Sequence, residues 1–212
     1  MIKSVIFDLD GTLADTLPDI LTAVNGLRAG YGLSPVDYGY VYEFVNGDTE
    51  EFVRKSVPGI ADDKIDEGAK VYKSCYSKCY LDKTAPYAGI AELLSKLKAR
   101  GVKLAVFSNK ADEYVKNLAD KLFPGMFDIP LGAGIFASKP APDGALDIIR
   151  QFGVSPDETV FVGDSDVDVK TGLNAGMRVI GVSWGYRGHD FLSNLGTCTV
   201  VDTVDELERE LM

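Results

Sequence analysis

Short apolar runs rich in β-forming residues alternate along this chain with amphipathic stretches of helical period. The apolar runs are Lys3–Phe7, Val102–Phe107, Thr159–Val162 and Val179–Val182, with a weaker run at Cys198–Val201. The helical stretches are Ile90–Arg100, Glu113–Leu122, Asp143–Phe152, Val167–Ala175 and Val204–Leu211. Strands that alternate with helices are typical of a mainly parallel sheet with helices on both faces. The alternation therefore predicts an α/β fold.

The region from Thr16 to Asp82 departs from this alternation, because it has helical periodicity without a convincing buried strand. Pro18 suits the first turn of a helix. Apolar residues around it recur at helical spacing, namely Leu17, Ile20, Leu21, Val24 and Leu27. The sequence therefore predicts a core of residues 1–15 and 83–212 and an inserted helical cap of residues 16–82.

Composition and charge indicate which kinds of molecule this protein can bind. Of the 212 residues 46% are hydrophobic, enough for a sizeable core, and the formal net charge is −10. An acidic chain is a poor match for nucleic acid, since phosphate backbones are bound by clustered Lys and Arg. A small phosphorylated molecule needs only a local cation, a metal or a few backbone N–H groups. Without a membrane-spanning stretch or a signal-peptide pattern, a cytoplasmic protein with no membrane partner is expected.

Two acidic residues follow the first predicted strand. Asp8 and Asp10 are two positions apart, so in extended chain their carboxylates point the same way, at the edge where parallel α/β sheets bind ligands. Carboxylates suit Mg²⁺, which prefers oxygen ligands. One carboxylate can also attack phosphorus while the other transfers protons, and Gly11 permits a tight turn. The alternative is an ordinary Asp-Gly turn in a solvated loop, which is the better interpretation of these residues alone.

Polar residues also follow the second strand and precede the third. Ser108 and Asn109 could bind phosphoryl oxygens, or they could cap the helix that begins near Ala111. Lys139, next to a proline-rich turn, could neutralise charge on the nucleophile and the phosphoryl group. Taken alone, Lys139 is better interpreted as a solvated lysine.

A further acidic cluster follows the strand at Thr159–Val162. Asp164 lies at the strand end and Asp168 in the first turn of the next helix, where acidic residues are also ordinary helix N-terminal charge. This strand end should lie near Asp8 and Asp10. Because facing carboxylates are unfavourable without a cation among them, the cluster favours a metal site.

Four segments of the chain, FDLDGTLADT, SNK, SKPAPD and GDSDVD, resemble the four motifs of the haloacid dehalogenase-like hydrolase superfamily in residues, order and spacing. PYAGIAELLSKLKARGVKLAVFSNK and GVSWGYR are similar to its phosphoglycolate phosphatase-like group. The resemblance implies a Rossmann-like core with a mobile helical cap. It also implies a Mg²⁺-dependent phosphoric monoester hydrolase that acts on a small phosphorylated metabolite through an aspartyl-phosphate.

The resemblance implies catalytic and metal-binding roles at matching positions. Asp8 would be the nucleophile and a Mg²⁺ ligand. Asp10 would be the acid/base, with its backbone carbonyl on the metal. Lys139 would steady the charge, Asp164 would bind the metal directly, and Asp168 would support it through water or neighbouring contacts.

Other residues are substrate-binding candidates. By the resemblance, Ser108 and Asn109 would hold phosphoryl oxygens, and Thr12 lies in the turn after the catalytic aspartates. The cap is expected to recognise the rest of the substrate, near Asn46–Thr49 and Arg54. Arg54 could meet a substrate carboxylate, as phosphoglycolate would offer, or it could be a solvated helix cation.

Several other functions stay open. A β-phosphoglucomutase-like activity would use a histidine in the cap hinge, whereas the histidine of this chain is His189, near its other end. A pyrophosphatase or nucleotidase could use the same core. A non-catalytic binding module is expected to lack one of four residues that are all present here, namely Asp8, Asp10, Lys139 and Asp164. Asp10 also argues against true dehalogenases, which lack it. Both a monomer and a homodimer are compatible with the sequence.

Overall fold

The computed structural model describes residues 1–45 and 49–212. The chain divides into two units, one of residues 1–15 and 86–212 and the other of residues 16–85. The cap candidates Asn46, Gly47 and Asp48 lie outside the described residues. The assignment of catalysis to the predicted core and of substrate specificity to the predicted cap stays a prediction.

The first unit contains a six-stranded sheet in which all the strand pairings are parallel. The strands of the described chain are β1 (Ser4–Phe7), β2 (Ala14–Asp15), β3 (Ala85–Pro86), β4 (Lys103–Ala111), β5 (Ile129–Ala133), β6 (Thr159–Gly163), β7 (Arg178–Val182) and β8 (Thr199–Val201). The sheet has the order β5-β4-β1-β6-β7-β8. The two-residue strands β2 and β3 stand where the chain passes between the units.

Helices flank the sheet and make up most of the second unit. Those of the second unit are α1 (Leu17–Gly30), α2 (Tyr38–Tyr42), α3 (Thr49–Ser56) and α4 (Ile65–Tyr76). Those of the first unit are α5 (Ile90–Ala99), α6 (Asp112–Leu122), α7 (Asp143–Phe152), α8 (Asp166–Asn174), α9 (Gly188–Asn194) and α10 (Val204–Leu211). Short 3-10 turns lie at Asp62–Lys64 and Pro156–Glu158.

The central strands lack polar–apolar alternation because both of their faces are covered. Every residue of β1 and β6 is buried, as expected for parallel strands between helical layers. Two of these buried residues carry hydroxyls, and Ser4 Oγ and Thr159 Oγ1 lie 2.7 Å apart in a hydrogen bond between the two strands. The sheet interior therefore leaves neither hydroxyl unsatisfied.

The strand order reverses at β1, and this reversal locates the site. From β1 the chain continues to β4 and β5 on one side and then returns to β6, β7 and β8 on the other. Phe7 lies opposite Val106 on β4 and opposite Val162 on β6. Residues that follow these three strands therefore meet at one edge, at the switch point where open α/β sheets bind ligands.

In the second unit, a buried carboxylate near the start of residues 16–85 is hydrogen-bonded to residues near their end. Asp19 on α1 is fully buried, and it accepts hydrogen bonds from Lys83 N, Thr84 N and Thr84 Oγ1 at 2.8–3.1 Å. Aromatic rings also pack within this unit. Phe52 on α3 lies 5.3 Å from Phe44 and 4.6 Å from Tyr72 on α4, measured between ring centroids.

The predicted α/β fold with a mainly parallel sheet and a helical insert is confirmed. The five predicted strands correspond to β1, β4, β6, β7 and β8, and the helices predicted in the core correspond to α5, α6, α7, α8 and α10. The strand β5 and the helix α9 were not predicted. Within residues 1–45 and 49–212, no helix combines the length and the apolar character that a membrane span requires.

Candidate active site

The turn after β1 places two aspartates at the switch point. Asp8 N donates to Val162 O on β6 at 2.9 Å, and the backbone then turns, with the N–H groups of residues 12–14 directed at Leu9 O. Gly11 has φ +83°, and a Cβ there would lie 2.5 Å from Asp164 Oδ2. The turn therefore requires glycine both for its backbone conformation and for its close approach to Asp164.

Three carboxylates meet at the ends of β1 and β6. Asp8, Asp164 and Asp168 each place one oxygen within 4.8 Å of the others, and all three residues are at most 3% exposed. Oxygen ligands of this kind are those that Mg²⁺ and Ca²⁺ prefer.

Lys139 enters this acidic group from the segment before α7. Its Nζ lies 2.7 Å from Asp8 Oδ1 and 2.6 Å from Asp168 Oδ1. The backbone of Lys139 is bound by the Asn109 side chain: Lys139 N donates to Asn109 Oδ1 at 2.7 Å, and Asn109 Nδ2 donates to Lys139 O at 3.1 Å. Asn109 thus positions the lysine that lies between two of the carboxylates.

The charges in this group do not balance, which makes it a suitable cation site. Burial, followed by repulsion from Asp168, raises the pKa of Asp8 to about 7, although Lys139 acts in the opposite direction. Burial and the negative charges of Asp168 and Asp8 likewise raise the pKa of Asp164 well above its usual value. Three buried carboxylates around one ammonium retain an excess of negative charge, which a divalent cation would neutralise.

Each of the two later aspartates is oriented by its own contacts. Asp164 Oδ2 accepts from Tyr186 N at 2.7 Å, in the loop after β7, and Asp164 Oδ1 accepts from Thr12 Oγ1 at 3.3 Å. Asp168 Oδ2 accepts from Ser165 N and Ser165 Oγ at 3.1 and 2.6 Å, in a capping box that begins α8. Asp168 therefore serves both as a helix cap and as a partner of Lys139.

Asp10 lies beside the end of β4 and contacts residues there. Ser108 Oγ donates to Asp10 Oδ2 at 3.4 Å, and Lys110 Nζ lies 2.5 Å from Asp10 Oδ1. The proposed N-cap role of Ser108 or Asn109 is not seen, since the residue before α6 is Ala111 and its side chain makes no capping bond. The Ser108 hydroxyl instead accepts from Lys110 N at 3.2 Å.

The described cap candidate, Arg54, lies on α3 in the second unit. Its guanidinium contacts Glu50 Oε1 at 2.9 Å and Asp62 Oδ1 at 2.8 Å, and its side chain is 39% exposed. A substrate carboxylate would have to compete with these two acidic partners. A substrate-binding role for Arg54 stays a prediction.

Comparison with known proteins identifies the family. The model of the haloacid dehalogenase-like hydrolases matches residues 5–182, which include the site candidates of the core from Asp8 to Asp168. The chain belongs to the haloacid dehalogenase-like hydrolase family.

Three relatives illustrate what this chain is similar to within the haloacid dehalogenase-like family. Phosphoglycolate phosphatase 1 of Pseudomonas aeruginosa is 30% identical over 212 residues, covering 97% of this chain and 78% of the relative. N-acetylmuramic acid 6-phosphate phosphatase of the same organism is 30% identical over 219 residues, covering 99% of this chain and 96% of the relative. A solved structure from Lactobacillus delbrueckii subsp. bulgaricus, provisionally named a phosphoglycolate phosphatase, is 32% identical with a TM-score of 0.93, covering 99% of this chain and 98% of its own.

These comparisons confirm the predicted membership in the phosphoglycolate phosphatase-like group of the haloacid dehalogenase-like family, and with it the prediction of a phosphatase-type enzyme. The roles of individual residues stay predictions, although the structure brings the candidates from the core together. Sequence reasoning missed two features: Lys110, which contacts Asp10, and the loop around Tyr186, which contacts Asp164. Each belongs to a quoted segment, SNK or GVSWGYR, which was the available signal.

Proposed function

We propose that this chain is a Mg²⁺-dependent phosphatase that hydrolyses a small phosphorylated acid, phosphoglycolate or a close analogue, through an aspartyl-phosphate on Asp8. The observation that carries the proposal is the buried group of Asp8, Asp164 and Asp168 around Lys139, with Asp10 two residues after Asp8. Asp8, Asp164 and the backbone carbonyl of Asp10 would hold the cation, with Asp168 in support. When bound, Mg²⁺ neutralises negative charge on phosphoryl oxygens.

In the first half of the reaction, an Asp8 carboxylate oxygen attacks phosphorus. The new oxygen–phosphorus bond forms as the ester bond breaks, and the electron pair of the ester bond goes to the leaving oxygen. Asp10 donates a proton to that oxygen. Lys139 offsets the charge of the nucleophile and the phosphoryl group, and Ser108 with backbone N–H groups near Asn109 would bind phosphoryl oxygens.

In the second half, water attacks the phosphorus of the aspartyl-phosphate. Asp10, now ionised, takes a proton from this water, and the bond between phosphorus and Asp8 breaks. Inorganic phosphate leaves, and both aspartates return to their starting protonation states. Two carboxylates with different partners can therefore act as nucleophile and as proton shuttle in one site.

The names of the relatives support a phosphorylated organic acid as substrate. The first relative is named for phosphoglycolate, and the second for a sugar phosphate that also carries a carboxylate. We propose phosphoglycolate as the first candidate and N-acetylmuramic acid 6-phosphate as the second. Recognition of the rest of the substrate by the cap, with Arg54 among the candidates, is part of this proposal.

A panel assay with the full chain tests the proposal. Phosphate release would be measured from phosphoglycolate, N-acetylmuramic acid 6-phosphate, β-glucose 1-phosphate, pyrophosphate and nucleotides, with Mg²⁺ and with EDTA. We expect the highest kcat/KM for phosphoglycolate, loss of activity in EDTA, and a loss of about 10⁴-fold or more in Asp8→Asn. Acid quenching during turnover should trap a hydroxylamine-labile phosphoprotein that Asp8→Asn lacks.

The outcomes separate mechanism from substrate. Activity no higher than that of Asp8→Asn on every compound would contradict the enzyme mechanism. A clear preference for a sugar phosphate, pyrophosphate or a nucleotide would overturn the substrate and leave the mechanism standing. Isomerisation of β-glucose 1-phosphate without net phosphate release would instead support the mutase alternative.

A further inference from the structure

Lys110 is placed in the site by an irregularity at the end of β4. The pairing of β4 with β5 is regular up to Phe107, shifts, and resumes at Ala111 opposite Ala133. The three residues between, Ser108–Lys110, therefore leave the regular ladder, as residues in a bulge do. Bulges of this kind commonly redirect side chains beside active sites.

The ammonium of Lys110 contacts the carboxylate of Asp10, the residue proposed to protonate the leaving group. Lys110 Nζ is 2.5 Å from Asp10 Oδ1, and the two side chains are 8% and 11% exposed. The second oxygen of Asp10 accepts from Ser108 Oγ. Lys110 is thus a shielded cation beside the proton shuttle, whereas Lys139 is the cation beside the nucleophile.

This position defines which part of a substrate Lys110 can reach. A general acid must lie within a hydrogen bond of the leaving oxygen, about 2.6–3.2 Å away. In phosphoglycolate, the carbon that bears this oxygen also bears the carboxylate. A carboxylate so close to the ester oxygen must lie near Asp10, and the flexible four-carbon stem of lysine allows its ammonium to turn toward it.

We propose that Lys110 is the specificity-determining residue that binds a carboxylate attached to the carbon bearing the ester oxygen. The inference rests on the proposed function and refines its substrate class to phosphate esters of 2-hydroxy acids. Removal of this ammonium leaves the substrate carboxylate beside Asp10 without a counter-charge. N-acetylmuramic acid 6-phosphate has its carboxylate many bonds from the phosphate ester, so it does not offer this contact.

The competing interpretation is that Lys110 only orients Asp10. In that case its loss would lower the turnover of every substrate by the same factor, because every substrate needs the proton. If Lys110 binds the substrate carboxylate, its loss instead lowers kcat/KM more for substrates that carry this carboxylate than for those that lack it. The comparison of two substrates that differ only in this group therefore separates the two roles.

The test compares kcat/KM for phosphoglycolate and for 2-hydroxyethyl phosphate, which has a hydroxymethyl group in place of the carboxylate. The proteins are the full-length wild type, Lys110→Met and Lys110→Gln, with saturating Mg²⁺. We expect the wild type to prefer phosphoglycolate, and this preference to fall about 10- to 100-fold in both variants, as for loss of a charge-assisted hydrogen bond. The matched control is Lys116→Met, since Lys116 pairs with Asp112 at 2.6 Å but is 52% exposed; its preference should equal that of the wild type.

An equal decrease for both substrates in the Lys110 variants would overturn the inference, as would a wild type without preference. In either case, hydrolysis by the wild type would leave the proposed function intact. Failure of the wild type to release phosphate from both compounds and from the rest of the panel would overturn the proposed function together with the inference. Thermal unfolding establishes that each variant compared is folded, and Lys110→Gln keeps the inference testable if Lys110→Met does not fold.

Discussion

Lys139 is the residue on which the charge balance of the candidate site depends. Burial alone would lower the pKa of Lys139, but attraction to Asp168 and Asp8 outweighs burial, so the net shift is upward. The lysine is therefore protonated whenever the protein is folded near neutral pH. Removing one partner of a buried ion pair costs about 3–5 kcal/mol, because the other charge is left uncompensated.

We expect Lys139→Met to lower the free energy of unfolding by about 3–5 kcal/mol near pH 8 in EDTA. The loss should be smaller near pH 5, because Asp8 and Asp164, whose pKa values are raised, can then take up protons instead of remaining as unpaired charges. Urea unfolding near pH 5 and near pH 8 measures both values. Phosphatase activity should also be lost, since the ammonium contacts the nucleophile.

Lys170→Met is the matched control for this prediction. Lys170 pairs with Asp166 at 2.8 Å across one turn of α8, but its side chain is 59% exposed. Exposed pairs of this type contribute about 0.5 kcal/mol or less. Equal losses in the two variants would show that burial of the ion pair does not matter. A loss in Lys139→Met that is the same at both pH values would show that the carboxyls left without the ammonium do not take up protons near pH 5.

For single residues, the sequence predicts which ones lie near each other in the site but not which atoms each side chain contacts. Asp8 and Asp164 could be selected because each follows a predicted strand at one sheet edge, whereas the role of Lys139 depended on the resemblance of SKPAPD to a family motif. The contacts of Asn109 and Lys110 could not be predicted, because they depend on the irregular end of β4. Thr12 illustrates the same limit: its hydroxyl donates to Asp164, a contact that requires the loop geometry.

The loop after β7 is the element that fixes the orientation of Asp164. Tyr186 N donates to Asp164 Oδ2 at 2.7 Å, and Trp184 Nε1 donates to Thr12 O at 3.1 Å. Gly185 lies between these anchors. A Cβ at Gly185 would be 2.3 Å from Asp164 Cβ and 2.4 Å from Gly11 O, distances that real contacts do not reach.

Gly185→Ala should therefore weaken cation binding by displacing Asp164 or the Gly11 turn. We expect the Mg²⁺ dissociation constant to rise about 10- to 100-fold, the range seen when groups that orient metal ligands are lost. Titration calorimetry and the thermal shift produced by Mg²⁺ measure this without reference to turnover. The expected direction is a smaller Mg²⁺-induced stabilisation than in the wild type.

Gly30→Ala is the control for the added methyl group. Gly30 ends α1, and a Cβ there would meet Val71 Cγ1 at an ordinary 3.7 Å. This variant should bind Mg²⁺ as the wild type does. Unchanged Mg²⁺ affinity in Gly185→Ala would mean that the loop adjusts and does not hold Asp164 in place.

Elements with strong hydrophobic patterns were predictable, and those without them were not. The runs of β1, β6 and β7 are continuous and apolar, as expected for strands covered on both faces. β5, with the sequence IPLGA, was missed because Pro130 and Gly132 are both unfavourable in strands. Proline and glycine are tolerated in β5 because it is an edge strand of the sheet, where one side of the backbone needs no hydrogen-bonding partner strand.

For the whole molecule, the raised pKa values of the site couple stability to pH. The carboxyl of Asp8 has a pKa of about 7 in the folded protein and 3.8 as the ordinary value. Between these values the folded state binds more protons than the unfolded state, so stability decreases as pH rises. The contribution of Asp8 is therefore complete below about pH 4 and is lost as pH rises through about 7; that of Asp164 has the same sign.

Mg²⁺ should reverse this dependence, because a cation binds the ionised carboxylates and competes with protons. In EDTA we expect Asp8→Asn, which resembles the protonated state at all pH values, to be more stable than the wild type near pH 8. Near pH 5 the difference should have the same sign but be smaller, because the loss of stability begins above about pH 4. Each pKa unit corresponds to about 1.4 kcal/mol, so a difference of a few kcal/mol is expected near pH 8.

Urea unfolding of both proteins near pH 5 and near pH 8, in EDTA and in excess Mg²⁺, measures the four comparisons. Mg²⁺ should stabilise the wild type much more near pH 8 than near pH 5, since binding to the folded state alone adds to stability. Asp8→Asn should gain less, because it lacks one of the proposed ligands. A wild type more stable than Asp8→Asn near pH 8 in EDTA would contradict the charge imbalance from which the metal site was inferred. Other carboxyls with lowered pKa values, such as Asp112 and Asp202, are common to both proteins and cancel in the difference.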